Sequence, residues 1–318
     1  MSDLLSDTQW DFIVRRIQGG KVTPFIGAGA SAGSIKTAAA LAKEWAAKFN
    51  YPIRDDCEDL ARVAQFLAIE VDEIEPKDVF AAICDSADRP DFSNPNQIHA
   101  SLARLPFPVY ITTNYDDFMF EALQKTLFTK ASGETIYKSP RLEYCRWNDF
   151  MRDVREHAAK PSPPPPTEGE PLVFHLHGHH SQPQSMVLTE DDYLSFLAWM
   201  AANPQPSSKF LPEPITTALV DTSLLFVGYS HRDWTFRVLF RAIVERLTGG
   251  QRRRSISVQL PPDGTTPEER DKVVKYLNKY YEKQNRIPMH IYWGDASQFA
   301  EELRQKWEHR HGGRTAGN

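Results

Sequence analysis

The chain has 318 residues, of which 41% are hydrophobic and 25% charged, the balance of a folded globular protein rather than a disordered or fibrous one. Lys plus Arg number 37 against 42 Asp plus Glu, a formal net charge of -5, so the basic excess of a dedicated nucleic-acid binder is absent and no direct nucleic-acid binding is expected. No run approaches the roughly 18 apolar residues that span a bilayer. The opening MSDLLSDTQW lacks a basic region followed by an apolar one, and Cys57, Cys84 and Cys145 are odd in number and form no C-x-x-C pair. A cytoplasmic location away from membranes, without a disulfide framework or a thiolate zinc module, is therefore expected.

In chain order, Trp10, Ile13, Val14 and Ile17 have the spacing of a short amphipathic helix over 6–18, ended by Gly19-Gly20. Val22 to Ile26 reads as a strand leading into Gly27-Ala28-Gly29-Ala30-Ser31. Residues 36–105 read as a helical insertion, with Leu41, Trp45 and Phe49 on one face and Leu60, Val63, Ala64 and Leu67 on another. A strand follows at Val109 to Thr113, then a helix carrying Phe118, Ala122 and Leu123, then a stretch without clear pattern. The Pro-rich residues 160–171 are expected to be a surface loop, since proline lacks the donor that helix and central strand require. Strands are predicted at Leu172 to Leu176, Leu224 to Val227, Ile256 to Leu260 and Met289 to Trp293. Helices are predicted at Asp191 to Met200, His231 to Leu247, Pro267 to Lys283 and Ala296 to Arg310. Arg252-Arg253-Arg254 reads as a solvated turn. Alternating strands and helices predict a single α/β, Rossmann-like domain over 1–318, its largely parallel sheet covered by helices on both faces.

In such sheets chemistry sits beyond the carboxyl ends of the strands. Those ends carry Gly27-Ala-Gly-Ala-Ser31, Thr112-Thr-Asn-Tyr-Asp116, His175-Leu-His-Gly178 and Gly228-Tyr-Ser230. Gly27 and Gly29 would let the backbone approach a pyrophosphate, or simply make a tight turn. Asn114 suits the orienting of a hydroxyl or a water, and Asp116 the holding of a ribose hydroxyl or of Asn114 itself, although both could equally cap the helix that follows. His177 is a candidate general base, its unperturbed pKa lying near neutrality. Together with His175, His179 and His180 it also has the composition of a metal site, but no H-E-x-x-H pairing is present and no metal is expected.

Together these four elements, in this order, resemble the sirtuin-like family, which carries G-A-G-x-S, T-x-N-x-D, L-H-G and G-x-S in turn. The resemblance implies that Gly27, Ala28, Gly29 and Ser31 contact the pyrophosphate of NAD, and that Thr113, Asn114 and Asp116 face the nicotinamide ribose. It makes His177 the catalytic histidine, and places Gly228 and Ser230 at the adenosine side with Asp295 or Ala296 near adenine. Asn114, His177 and Asp116 are thus the catalytic candidates. Two features depart from the deacylating members: the three cysteines cannot supply their paired-cysteine zinc module, and Ser31 runs into Ala-Gly-Ser-Ile-Lys36 instead of G-I-P-D-F-R. The chain looks more like the zinc-free sirtuin-like proteins of bacterial anti-phage defence. Hydrolysis of NAD, with NAD as substrate, is the activity this implies, gated by assembly, a partner protein or a ligand, and with a homo-oligomer or a separately encoded partner expected. A silent NAD or ADP-ribose sensor and an NAD-dependent deacylase or ADP-ribosyltransferase are the alternatives.

Overall fold

The computed structural model describes residues 5–130, 132–148, 164–202, 211–229, 255–259, 266–284 and 289–312. In chain order these form α1 (Asp7–Gln18), β1 (Val22–Ile26), α2 (Ala38–Lys48), α3 (Leu60–Glu70), α4 (Glu75–Ser86), α5 (Ile98–Ala103), β2 (Val109–Thr112), α6 (Phe118–Lys125), β3 (Leu127–Thr129), β4 (Thr135–Tyr137) and β5 (Arg141–Tyr144). They continue with β6 (Leu172–His175), α7 (Glu190–Ala202), α8 (Glu213–Asp221), β7 (Ser223–Val227), β8 (Ser255–Gln259), α9 (Pro267–Gln284), β9 (Met289–Trp293) and α10 (Ala296–Gly312).

Among the described residues, strands β5, β6, β2, β1, β7, β8 and β9 lie side by side in that order, every pair parallel. Alternate residues face opposite layers: Val22, Tyr110, Val173 and Leu225 pack toward α1, α5, α6 and α10, whereas Phe25, Ile111, Phe174 and Phe226 pack toward α7, α8 and α9. Both faces are buried, which is why these strands read as continuous apolar runs rather than as alternating ones. Pro24 is accommodated in the central strand because β2 joins β1 only at Phe25 and Ile26. The expected α/β Rossmann-like architecture is borne out.

Two features were not foreseen. Strand β5 is a half-buried edge strand, Arg-Leu-Glu-Tyr, whose mixed composition carries no strand signal of its own. Strands β3 and β4 pair as a small antiparallel hairpin through Leu127↔Tyr137 and Thr129↔Thr135. The helical expectation for 36–105 divides into two packings. Helices α2 to α4 build a separate core around Leu41, Trp45, Leu67 and Phe80, which also takes in Tyr115, Met186 and Leu188. Helix α5 instead packs on α6 and α10, within a layer of the main sheet. A buried ion pair, Lys77 Nζ to Asp192 Oδ1 at 2.8 Å, ties α4 to α7. The helix expected at His231 to Leu247, the Arg252-Arg253-Arg254 run, Ser230 and residues 160–163 of the Pro-rich stretch lie outside the described residues.

Candidate active site

Because β6, β2, β1 and β7 are neighbours, the four segments that follow them come together at one edge of the sheet. They form the floor of a cavity of about 530 Å³ lined by Ala28, Ser31, Thr113, Asn114, Asp116, His177, Gly228 and Tyr229. The opposite wall comes from the helical segment, through Leu41, Phe80, Asp55, Asp56, Glu58 and Asp59, and from Tyr193 of α7.

The glycines of the first and last of these loops are required by each other. Gly27 N–H donates to Val227 O at 2.8 Å and Gly29 N–H to Gly228 O at 2.9 Å, so the turn after β1 is locked onto the end of β7. A Cβ on Gly27 would lie 2.7 Å from the Tyr229 ring, and one on Gly228 would lie 2.4 Å from Ala30 N. Gly228 also has φ +81°, in the region that L side chains rarely adopt. Gly228→Ala is expected to cost about 3 kcal/mol, the sum of backbone strain and backbone overlap. Urea unfolding checks this: the midpoint should drop with an unchanged slope, and a variant as stable as the wild type would disprove the interlock.

Asn114 is buried, and its amide is held in one orientation. Its Nδ2 donates to Gly27 O at 3.2 Å and to Ser31 Oγ at 3.0 Å. A backbone carbonyl can only accept, so the atom beside it must be the amide nitrogen, and both of its protons are spoken for. Ser31 in turn donates to Asp116 Oδ2 at 2.8 Å, while Asp116 Oδ1 accepts from Phe118 N–H at 3.1 Å. Burial raises the Asp116 pKa, and the Ser31 and Phe118 hydrogen bonds oppose that rise. Asp116 therefore stands behind Ser31, fixing where the serine proton points. The main chain is equally constrained: Asn114 N–H donates to Thr112 Oγ1 at 2.9 Å, which donates to Ile26 O at 3.0 Å. What remains is Asn114 Oδ1, a buried acceptor without a hydrogen-bond partner among the described residues.

His177 follows β6 directly, with its ring edge-on to Tyr193 and Phe196 at centroid distances of 5.6 and 5.2 Å. Burial alone pushes its pKa down to about 3, so the ring is neutral at physiological pH rather than poised near neutrality as its free pKa suggested. Asp295 is not brought to the cavity. It lies past β9, two strands beyond β7, and its Oδ1 accepts from Gln298 N–H at 2.8 Å to cap α10. Sequence reasoning missed Tyr229, whose hydroxyl donates to Ile26 O at 3.0 Å and meets Thr113 Oγ1 at 2.7 Å, although it sits inside the Gly-Tyr-Ser motif after β7. It also missed Tyr193 and the 55–59 wall, which only long-range packing brings to the cavity.

Among the described residues, Asp117, His179 and His180 bring a carboxylate and two imidazoles within 4.8 Å of one another, donor types that a divalent ion takes. Both ring nitrogens of His180, however, face carboxylates, at 2.8 and 3.0 Å, an arrangement that holds a proton on each. A ligand would instead need a free lone pair on one of them.

Parallel sheet, glycine turn and strand-end cavity together define a Rossmann-like α/β protein with a cavity at the carboxyl edge of the sheet. A family model described as a SIR2-like domain matches residues 108–284, more than half of the chain, and the chain belongs to that family. It is also similar to the NAD(+) hydrolase ThsA of Acinetobacter baumannii (strain 532279), at 27% identity over 143 residues. The match covers 44% of this chain and 22% of that protein, so the chain spans about a fifth of the relative's length. No helix among the described residues is long and apolar enough to cross a membrane.

Proposed function

We propose that the chain is an NAD glycohydrolase, converting NAD and water to nicotinamide, ADP-ribose and a proton. The observation that carries this reading is the juxtaposition, in the lining of one cavity, of Asn114, whose amide is rigidly held with its Oδ1 left over, and the neutral ring of His177. Membership of the SIR2-like family and similarity to an NAD(+) hydrolase support it.

The chemistry asks little of the protein. The positively charged nicotinamide takes the electrons of the C–N bond and leaves neutral, needing no proton, while the ribose develops oxocarbenium character. Asn114 can act only as an acceptor, so it orients a ribose hydroxyl or the attacking water by receiving its proton in a hydrogen bond. His177, neutral, takes a proton as the water adds to the cation. With a pKa of about 3 it is a weak base, so the water becomes acidic enough to yield its proton only once bond breaking is advanced. Asp116 and Ser31 serve as positioning residues for Asn114 in this scheme. The segment 27–31, with Thr113 and Gly228, would hold the remainder of the dinucleotide. On the order of its motifs, the chain is read as a cytoplasmic effector of bacterial anti-phage defence, gated by assembly, a partner or a ligand.

The test is incubation of the purified protein with NAD, without acylated peptide, and quantification of nicotinamide and ADP-ribose. Product from the wild type, formed at least about 10²-fold more slowly by Asn114→Ala, supports the hydrolase. Tight NAD binding without turnover would favour a sensor, and O-acyl-ADP-ribose formed with an acylated peptide would favour deacylation. No binding of NAD at all overturns the reading.

A further inference from the structure

A second network lies behind the loop that carries Asn114, and the proposed reaction does not use it. His175, the last residue of β6, donates from Nδ1 to the main-chain oxygen of Asn114 at 2.8 Å. Its ring stands edge-on to His179, with centroids 4.6 Å apart. His179 Nδ1 receives Ser181 N–H at 3.2 Å, which places its proton on Nε2, directed at Asp117 Oδ1 at 2.8 Å. The other oxygen of Asp117 accepts from His180 Nε2 at 2.8 Å, and His180 Nδ1 meets Asp85 Oδ1 at 3.0 Å. The main chain joins in, since His180 N–H donates to Tyr115 O at 3.2 Å. Asp85 is the penultimate residue of α4, the helix that contributes Phe80 to the cavity wall. One imidazole therefore bridges the helical insertion and the segment that positions Asn114.

We propose that His180, protonated on both nitrogens between Asp85 and Asp117, is a positioning clamp that seats α4 on the Asn114 loop, so that losing its second proton loosens α4 and lowers turnover. The effect on turnover rests on the NAD-hydrolase reading; the seating of α4 does not. Asp85 faces the ring from α4, Asp116 and Asp117 face it from the head of α6, His175 from the end of β6 and His179 from its own loop. Burial works against a charge on His180, but hydrogen bonds and attraction from Asp117 and Asp85 outweigh it and raise the pKa above its ordinary value. The same bonds from His179 and His180 overcome burial at Asp117 and hold its carboxyl well below the usual range. The clamp is accordingly complete below pH 6.5 and is released as pH rises through the elevated pKa of His180.

Asp85→Asn tests this, because the Asp85 side chain is 69% exposed and lies outside the cavity. Amide hydrogen exchange of Glu75–Ser86, corrected for the intrinsic pH dependence, and kcat for NAD would be followed from pH 6 to 9. The variant is expected to release α4, and to lose kcat, at a pH lower by about half a unit to one unit, with turnover at pH 6 within about twofold of the wild type. Identical exchange and identical alkaline limbs in the two proteins would overturn the clamp, as would an imidazole ¹⁵N titration showing His180 neutral at pH 6.5. Absence of NAD turnover in the wild type at every pH would remove the hydrolase reading alone, since α4 exchange and the ¹⁵N titration still decide the clamp.

Discussion

Asn114→Ala is expected to lower kcat for NAD by about 10²- to 10³-fold, the loss seen when a single preorganised polar group is removed from a site of developing charge. The fold should persist, because the substitution removes two side-chain hydrogen bonds and leaves the main-chain ties of Asn114 to Thr112 and His175 in place. A more discriminating variant is Asn114→Asp, nearly identical in shape. Its carboxylate would set an oxygen against Gly27 O, where the structure requires a donor, so it should be as impaired as alanine. Ser31→Ala should fall between these and the wild type, since it frees one amide proton but leaves the bond to Gly27 O. Steady-state kinetics with a thermal melt of each variant checks the series. If Asn114→Asp retained wild-type kcat, the one-orientation account of the amide would be wrong.

His177→Ala is expected to reduce kcat by about 10²-fold or more, the usual contribution of a positioned base. The wild-type pH profile gives the sharper test. The base form of His177 is lost only as pH falls toward its pKa of about 3, so kcat/KM should remain level on the acid side from pH 7 to pH 5.5. An imidazole with the ordinary pKa of about 6.5 would by then have lost about tenfold. An acid limb centred near pH 6.5 would show that the ring is solvated in the working enzyme.

Burial has a further consequence for stability. His99, His175 and His177 are all pushed down by desolvation, to about 4, 3 and 3, and remain neutral in the folded state. Below pH 6.5 the unfolded chain binds protons that the folded chain refuses, so stability falls as pH drops, by up to about 1.4 kcal/mol per ring and pH unit. Melting at each pH separates this loss from the kinetics.

Alternating strands and helices in the sequence determined the fold class, and the four strand-end motifs nearly the whole floor of the cavity. Val22–Ile26, Leu172–His175 and Ser223–Val227 are apolar on both faces, and a strand buried on two sides in a parallel sheet must place its following loop at the carboxyl edge beside its neighbours. Gly27, Ser31, Asn114, His177 and Gly228 could be named from that alone. Edge strand β5 could not, because Arg141-Leu-Glu-Tyr144 takes its conformation from pairing with β6 rather than from its own pattern.

Only the tertiary structure decided how each of those residues is held. The orientation of the Asn114 amide depends on Gly27, 87 positions away, and on Ser31 and Asp116 acting in series. The loss of basicity at His177 comes from aromatic packing by α7, and the cap on α10 occupies Asp295. Tyr229 fills the space beside Gly27, and Asp85 reaches His180 from a helix that the sequence marked only as an insertion. Local spacing encodes where a strand ends. Hydrogen-bond direction and desolvation depend on groups distant in the chain, and these become neighbours only when the layers pack.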